Sequence, residues 1–201
     1  MNHPIIPTDY KNLLDHYINF WGEPQSTFDY SMDDLTPNGR IFVAEFNSKE
    51  YYNTWVYATV GLSWFPMKSA KWDSNQPDPR RELIIYVEKK NKQLATLLFS
   101  LARYPFDNKT FLGFGHTIPG TSEGIIDGSP LTDIIFAPPL KEGKELYMFH
   151  MDNNHHSIVL WVIPIYDSER RFSKKHGWKT LLEKFIEENM DPLDLYRPPV
   201  V

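Results

Sequence analysis

The chain has 201 residues, no cysteine, 26 acidic against 21 basic residues, and 15% aromatic residues. The absence of cysteine excludes a disulfide framework, a cysteine-based zinc site and a cysteine nucleophile. The net charge of −5 disfavours direct nucleic-acid binding, and the aromatic content is too high for a disordered chain. We therefore predict a folded protein with a single domain over residues 1–201.

The apolar runs of the sequence are too short for a membrane protein. The longest run, Ile158–Ile165, is interrupted by Pro164, whereas a membrane helix needs about 20 apolar residues. The N-terminus lacks the basic and apolar regions of a secretory signal. These features predict a soluble cytoplasmic protein that does not bind membranes.

The first predicted element is a helix over residues 8–22, because apolar side chains recur there at steps of three and four residues. Strands are predicted next, at 27–32, 40–46, 54–62 and 82–88. A leucine-rich helix follows at 92–104, and we expect Pro105 to end it.

The second half of the chain is predicted to form four more strands, at 111–117, 131–137, 145–151 and 156–165. Two helices, 167–176 and 178–189, and a proline-rich extended tail, 190–201, close the chain. Strands and helices do not alternate regularly, which disfavours a doubly wound nucleotide-binding fold. We predict an α+β fold, with a large mixed β-sheet sandwich packed with helices.

The segment before the last strand predicts a β-hairpin. With Asn153 and Asn154 as a two-residue loop, Asp152 pairs with His155 and Met151 with His156. His150, Asp152 and His155 then share one face and are weak candidates for a metal site. Their spacing matches no known metal signature, so we interpret them as a polar turn and expect no metal or other cofactor.

The glycine-rich stretch FLGFGHTIPG, residues 111–120, has the composition of a catalytic or phosphate-binding loop. It lacks the lysine and the following helix of a phosphate-binding loop. We interpret it as a crowded strand with Gly113 and Gly115 on one face, and expect His116 to pack or form a hydrogen bond.

No catalytic motif is recognisable in the sequence. Ser63 lacks the second glycine of a nucleophile elbow. We therefore predict a protein without enzymatic activity. A hydrolase that uses His116 or the group of His150, Asp152 and His155 is the less favoured alternative.

Six segments resemble, in their order along the chain, the Suppressor-of-fused-like domain family. They are TVGLS (59–63), ELIIYV (82–87), ARYP (102–105), GHTIPG (115–120), DIIFAPP (133–139) and IPIYDSE (163–169). The resemblance covers about residues 45–188. It implies a fold similar to the N-terminal domain of Suppressor of fused, with that range as the core, an N-terminal helix at 8–22 and an extended C-terminal tail at 190–201.

The resemblance also implies which residues define the fold. The recurrent positions of the family fall on Gly61, Ser63, Glu82, Gly115, Thr117, Pro164 and Glu169. We interpret the glycines as places that need backbone room, and Ser63 and Thr117 as hydrogen-bonding residues at strand ends. Glu169 is expected near a helix start, where a carboxylate is favourable.

The function implied by the resemblance is protein binding without catalysis. Single-domain members are similar to bacterial immunity proteins, or antitoxins, that bind and neutralise a cognate toxin such as a nuclease. Asp33, Asp34, Glu187 and Glu188 are the candidate binding residues toward a toxin with a basic surface. The alternative is a regulatory scaffold that binds an extended peptide at an open sheet edge.

Overall fold

The computed structural model describes residues 8–48, 54–69, 72–73, 75–139, 142–151 and 155–201. The helices are α1 (Thr8–Trp21), α2 (Gln93–Asp107), α3 (Lys144–Tyr147), α4 (Asp167–His176) and α5 (Trp178–Glu187). The strands are β1 (Ser26–Ser31), β2 (Arg40–Ser48), β3 (Thr54–Val60), β4 (Arg81–Val87), β5 (Thr117–Ile118), β6 (Asp133–Ala137), β7 (Met148–His150) and β8 (His156–Ile165). None of the described helices is both long and apolar enough to cross a bilayer.

The eight strands form one mixed sheet, as predicted. Seven of them follow the order β1-β2-β3-β4-β8-β6-β5, and β7 also pairs with β8. The β4–β8 pair is parallel and every other pair is antiparallel. On one side β8 pairs with β4. On its other side it pairs first with β7, at Ile158 opposite Met148, and then with β6, at Trp161 opposite Ala137.

Helices cover both faces of the sheet, which gives the molecule two apolar cores. Alternate strand residues enter opposite cores: Ile41 and Val43 of β2 pack toward α2, whereas Phe42 and Phe46 pack toward α1 and α5. On α1 the apolar side chains spaced by three and four residues are buried, as the sequence indicates. The predicted strand at 156–165 is confirmed, and β8 is a central strand with neighbours on both sides and apolar contacts on both faces.

The prediction that Pro105 ends the second helix is wrong. The helix α2 runs to Asp107 with Pro105 inside it. Pro105 is buried against the sheet, and Arg103 Nη2 donates to Asp107 Oδ1 at 2.9 Å across the last turn. Tertiary packing and this contact outweigh the loss of one helical hydrogen bond.

The predicted strand at 111–117 is also wrong, since only Thr117 and Ile118 pair with β6. Gly115 has a φ of 78°, in the left-handed region, which a strand does not contain. A Cβ at Gly115 would lie 2.2 Å from Cδ1 of Trp178. The expectation of a close approach at Gly115 is therefore confirmed, although the segment is a loop and not a strand.

The hairpin before β8 has a different register from the predicted one. His150 lies opposite His156, where the prediction placed Met151. The N–H of Met151 donates to the carbonyl of His155 at 2.8 Å. His155 therefore faces Met151, one residue before the predicted partner Asp152. Residues 144–147 form the helical turn α3 in place of the first half of the predicted strand at 145–151, with Leu146 fully buried.

Candidate protein-binding site

Three of the predicted fold-defining positions form one buried hydrogen-bond network around Glu82. The carboxylate accepts hydrogen bonds from Ser63 Oγ at 2.6 Å, from the N–H of Ser63 at 2.9 Å and from the N–H of Gly61 at 3.2 Å. Thr59 Oγ1 donates to its other oxygen at 2.6 Å.

Burial raises the pKa of Glu82 to about 7, while these four donors favour the ionised form and oppose the shift. The network has no opening to solvent, because Glu82 and Ser63 are fully buried. It holds the end of β3 against the start of β4.

A second buried group attaches the C-terminal tail to the domain. Arg197 forms a two-pronged ion pair with the fully buried Glu169, at 2.7 Å for both contacts. Arg197 Nη2 also donates to the carbonyl of Pro164 at 3.2 Å. Glu169 accepts from the N–H of Tyr166, which places its carboxylate at the start of α4 as predicted. The tail has no helix or strand but is docked on the domain.

The last two fold-defining positions, Gly115 and Thr117, line a groove of about 660 Å³. The groove lies between the end of α2 and strand β5. Its described lining consists of Ser69, Tyr104, residues 108–112 and residues 115–118. A cleft of this volume is in the range that proteins use for ligands and peptide side chains.

The groove runs along an open edge of the sheet, because β5 is the last strand of the order and, among the described strands, pairs with β6 alone. The N–H of Phe136 donates to the carbonyl of His116 at 3.0 Å, and Ile118 lies opposite Ile134. Antiparallel strands alternate between hydrogen-bonded and non-hydrogen-bonded pairs. The intervening residue Thr117 therefore directs its N–H and C=O away from β6, toward the groove.

Aromatic side chains form one wall of this edge. The ring of Phe111 lies 4.9 Å from that of Trp72 and 5.0 Å from that of His116, measured between centroids. His116 is exposed, and its Nδ1 lies 3.2 Å from the carbonyl oxygen of Phe111. The packing and hydrogen bond expected for His116 are both present. Half-exposed aromatic rings, here beside backbone groups that have no partner among the described residues, are typical of protein-binding surfaces.

The predicted acidic binding residues do not come together. Asp33 and Asp34 lie between β1 and β2, and Asp34 accepts a hydrogen bond from Arg103 of α2 at 2.6 Å. Glu187 and Glu188 lie at the end of α5, which packs on the opposite face of the sheet. All four are exposed. Their role in binding stays a prediction.

The weak metal candidates are separated by the register of the hairpin. His150 contacts His156, with ring centroids 4.6 Å apart, and His155 is not paired with it. Asp152 lies outside the described residues. Within the described part of the chain, no group of three acidic or histidine side chains could hold a metal ion.

Sequence reasoning missed Arg197 and Trp178, which hold the tail and the glycine-rich loop. Arg197 lies in a proline-rich segment that indicated an extended tail, and its partner Glu169 is 28 residues away. The sequence carries no local signal for either contact. The high content of tryptophan does not locate the groove, because Trp72 alone lies beside it and the other five tryptophans pack in or against the two cores.

The model of the family described as "Suppressor of fused protein (SUFU)" matches residues 38–198. The chain belongs to the SUFU family. A SUFU homologue from Neisseria gonorrhoeae has a similar structure, with a TM-score of 0.75 and 22% identity over 96% of this chain and 97% of that one. No curated protein is significantly similar to the chain.

Two further SUFU structures share the fold. A Sufu–Fu complex matches with a TM-score of 0.70 and 15% identity, over 96% of this chain and 93% of that one. Drosophila Suppressor of Fused matches with a TM-score of 0.61 and 16% identity, over 96% of this chain but only 51% of the Drosophila chain. The predicted family and α+β fold are therefore confirmed.

Proposed function

We propose that this SUFU-family protein is a non-catalytic module that binds an extended segment of another protein along strand β5. The observation that carries the proposal is the outward direction of the N–H and C=O of Thr117 at the open edge of the sheet. A bound segment adds a strand there by main-chain hydrogen bonds, and its alternate side chains enter the groove.

The shape of the site supports this mode of binding. The groove of about 660 Å³ lies beside β5 and is flanked by the half-buried Phe111. Rigid aromatic side chains give contact area at a small cost in conformational entropy. The similar structure of a Sufu–Fu complex is a SUFU protein bound to a protein partner, which is consistent with this role.

The alternative of a hydrolase has less support. His116 is the exposed histidine of the groove, and its Nδ1 contacts a backbone carbonyl of its own loop. A general base needs a second group to orient it and a nucleophile within reach. Neither accompanies His116 among the described residues, so we include the absence of enzymatic activity in the proposal.

A proline at position 117 tests the proposal, because the N–H that it removes faces the groove and not β6. A random 12-residue peptide library displayed on phage is selected on the unmodified protein, and the enriched peptide is measured by calorimetry. We expect Thr117→Pro to bind it at least tenfold more weakly, and Thr117→Val, which keeps the N–H, to bind it within about threefold. The absence of any enriched peptide, or equal binding by Thr117→Pro, would contradict the proposal.

The family resemblance and the acidic balance also lead us to propose a more specific role, that of a cytoplasmic immunity protein for a toxin with a basic surface. A net charge of −5 accelerates encounter with such a partner. The exposed Asp33, Asp34, Glu187 and Glu188 contribute to that charge. Co-expression with the product of the neighbouring gene tests the role: restored growth supports it, and unchanged toxicity, or a harmless neighbouring product, would contradict it.

A further inference from the structure

Arg81 is a buried arginine that has no acidic partner in the part of the chain that the structure describes. Its exposed fraction is 8%. Its Nε donates to the carbonyl of Leu112 at 2.9 Å and its Nη1 to the carbonyl of Arg80 at 2.8 Å. Among the described residues no carboxylate lies within ion-pair distance of it. A guanidinium carries five N–H groups, so three of those of Arg81 are without a described acceptor.

Two other arginines of the fold do have acidic partners, the buried Arg197 and the half-buried Arg170. Arg197 is paired with Glu169, and Arg170 donates to Asp133 at 2.5 Å. Burying a charge without a partner is unfavourable. Desolvation lowers the pKa of Arg81 to about 10, which still leaves the side chain positively charged at neutral pH. The fold therefore keeps an uncompensated positive charge at this position.

The preceding residue, Arg80, has a half-buried guanidinium whose nearest acidic influence is Asp78. Arg80 Nη1 donates to the carbonyl of Ser63 at 2.7 Å, and none of the described ion pairs includes Arg80. Both arginines thus use backbone carbonyls as acceptors. Each keeps donors for a further anion.

The acceptor of Arg81 belongs to the groove along β5. Leu112, whose carbonyl binds Nε, is one of the lining residues. Of the described residues that line the groove, Lys109 and His116 are basic and none is acidic. The described lining of the groove thus carries no negative side chain, in a protein whose net charge is −5. The basic side chains of this lining are complementary to an acidic segment.

We propose that Arg81 is a specificity-determining residue that binds the carboxylate of an aspartate or glutamate in the partner segment. Nη1 and Nη2 still carry three N–H groups, which form the planar fork that a carboxylate accepts with both oxygens. The inference rests on the proposed function, since the segment that carries the carboxylate is the one bound along β5.

The test of binding compares two peptides that differ in one residue. The enriched 12-residue peptide is made with each of its acidic residues replaced in turn by glutamine or asparagine. At one position we expect the unmodified protein to prefer the acidic form at least tenfold, and Arg81→Met to lose that preference while binding the amide form equally well. A peptide that binds without any acidic preference overturns this inference and leaves the proposed function standing.

A second measurement does not depend on any peptide. Replacing chloride with acetate at constant ionic strength is expected to raise the melting temperature of the unmodified protein by about 2 °C, and that of Arg81→Met not at all. An equal rise in both proteins overturns the inference. A much larger rise with inorganic phosphate than with acetate also overturns it, because the site is then a phosphate site.

The stability of the variants separates a binding role from a structural one. Arg81→Met removes an unpaired charge but also two hydrogen bonds to backbone carbonyls, so we expect its melting temperature to stay close to that of the unmodified protein. The matched control Arg170→Met leaves Asp133 unpaired and is expected to melt lower. A fall for Arg81→Met as large as for Arg170→Met overturns the inference. If Arg81→Met does not fold, Arg81→Lys keeps the charge without the fork and is expected to lose most of the acidic preference.

Discussion

The carboxylate of Glu82 illustrates how one residue can join two strands. It is fully buried and accepts four hydrogen bonds, two of them from backbone N–H groups of residues 61 and 63. The backbone donors cannot rotate to find other acceptors, unlike the hydroxyls of Ser63 and Thr59. Glu82 is thus an acceptor that the chain needs at this point, which explains a buried acid in an apolar strand.

Glu82→Gln is expected to remove a pH dependence of stability. The pKa of about 7 in the folded state exceeds the ordinary value of 4.5. Between these pH values the unfolded chain releases the proton while the folded chain keeps it, so the free energy of unfolding of the unmodified protein falls as pH rises from 4.5 to 7. The fall attributable to Glu82 is about 3 kcal/mol. Urea denaturation at several pH values measures it.

The glutamine variant keeps the shape and one acceptor oxygen but cannot ionise. Its free energy of unfolding, minus that of the unmodified protein, should therefore rise as pH goes from 4.5 to 7. The opposite trend, with the unmodified protein gaining stability toward pH 7 relative to Glu82→Gln, would show that the four donors outweigh burial and hold the carboxylate ionised.

Gly115→Ala is expected to destabilise the protein by about 2 kcal/mol or more, because a left-handed backbone and a close contact coincide there. The φ of Gly115 is 78°, and the added Cβ would lie 2.2 Å from the Trp178 ring. The matched control is Gly113→Ala, where the nearest atom to the added Cβ is 3.6 Å away. Chemical denaturation compares the two, and a loss as large for Gly113→Ala would refute the argument.

Among the elements, the C-terminal tail is attached to the domain by several contacts, of which the side chain of Arg197 makes the most deeply buried ones. Residues 190–201 contain no regular structure, yet Arg197 reaches Glu169 at the start of α4 and the carbonyl of Pro164 at the end of β8. The guanidinium carbon also lies 5.1 Å from the centre of the Phe185 ring of α5. One side chain thus connects the tail to three neighbouring elements.

Arg197→Met is expected to lower the free energy of unfolding by about 3–5 kcal/mol, because it leaves Glu169 buried without its partner. Guanidinium denaturation gives the loss, and limited proteolysis shows whether the tail is released. The double variant Glu169→Gln with Arg197→Met should recover part of the loss, since the amide carries no charge. A single variant as stable as the parent, or a double variant no better than the single, would rule out this account.

Elements with a strong periodic pattern could be predicted from the sequence, and elements fixed by distant contacts could not. The bounds of β8 and α4 were predicted to the residue, because the pattern of apolar and polar residues within each element is enough to identify it. The end of α2 was misjudged because burial of Pro105 outweighs its local preference. The loop at 111–116 was misjudged because Trp178, more than 60 residues away, determines its path.

The candidate site could be predicted only in part. Gly61, Ser63 and Glu82 were marked by the resemblance, and the structure shows them in contact. The unpaired state of Arg81 depends on which side chains surround it, and no sequence pattern carries that information.

At the scale of the whole molecule, the sequence predicted the composition of the fold but not its order of strands. A mixed sheet covered by helices follows from many short strands among irregularly spaced helices. The neighbours of each strand depend on the long connections between them, which leave little trace in the sequence. The single-domain organisation over residues 1–201 stays a prediction.

The parallel pairing of β4 with β8 has a consequence for synthesis in the cell. Arg81 lies opposite Ile158, so β4 is made 77 residues before its neighbour. At about 5–20 residues per second, a ribosome needs about 4–15 s to cover that interval. During this time β1 to β4 can already form a meander whose last strand presents bare backbone groups. The nascent chain is then a target for chaperones until residues 156–165 emerge.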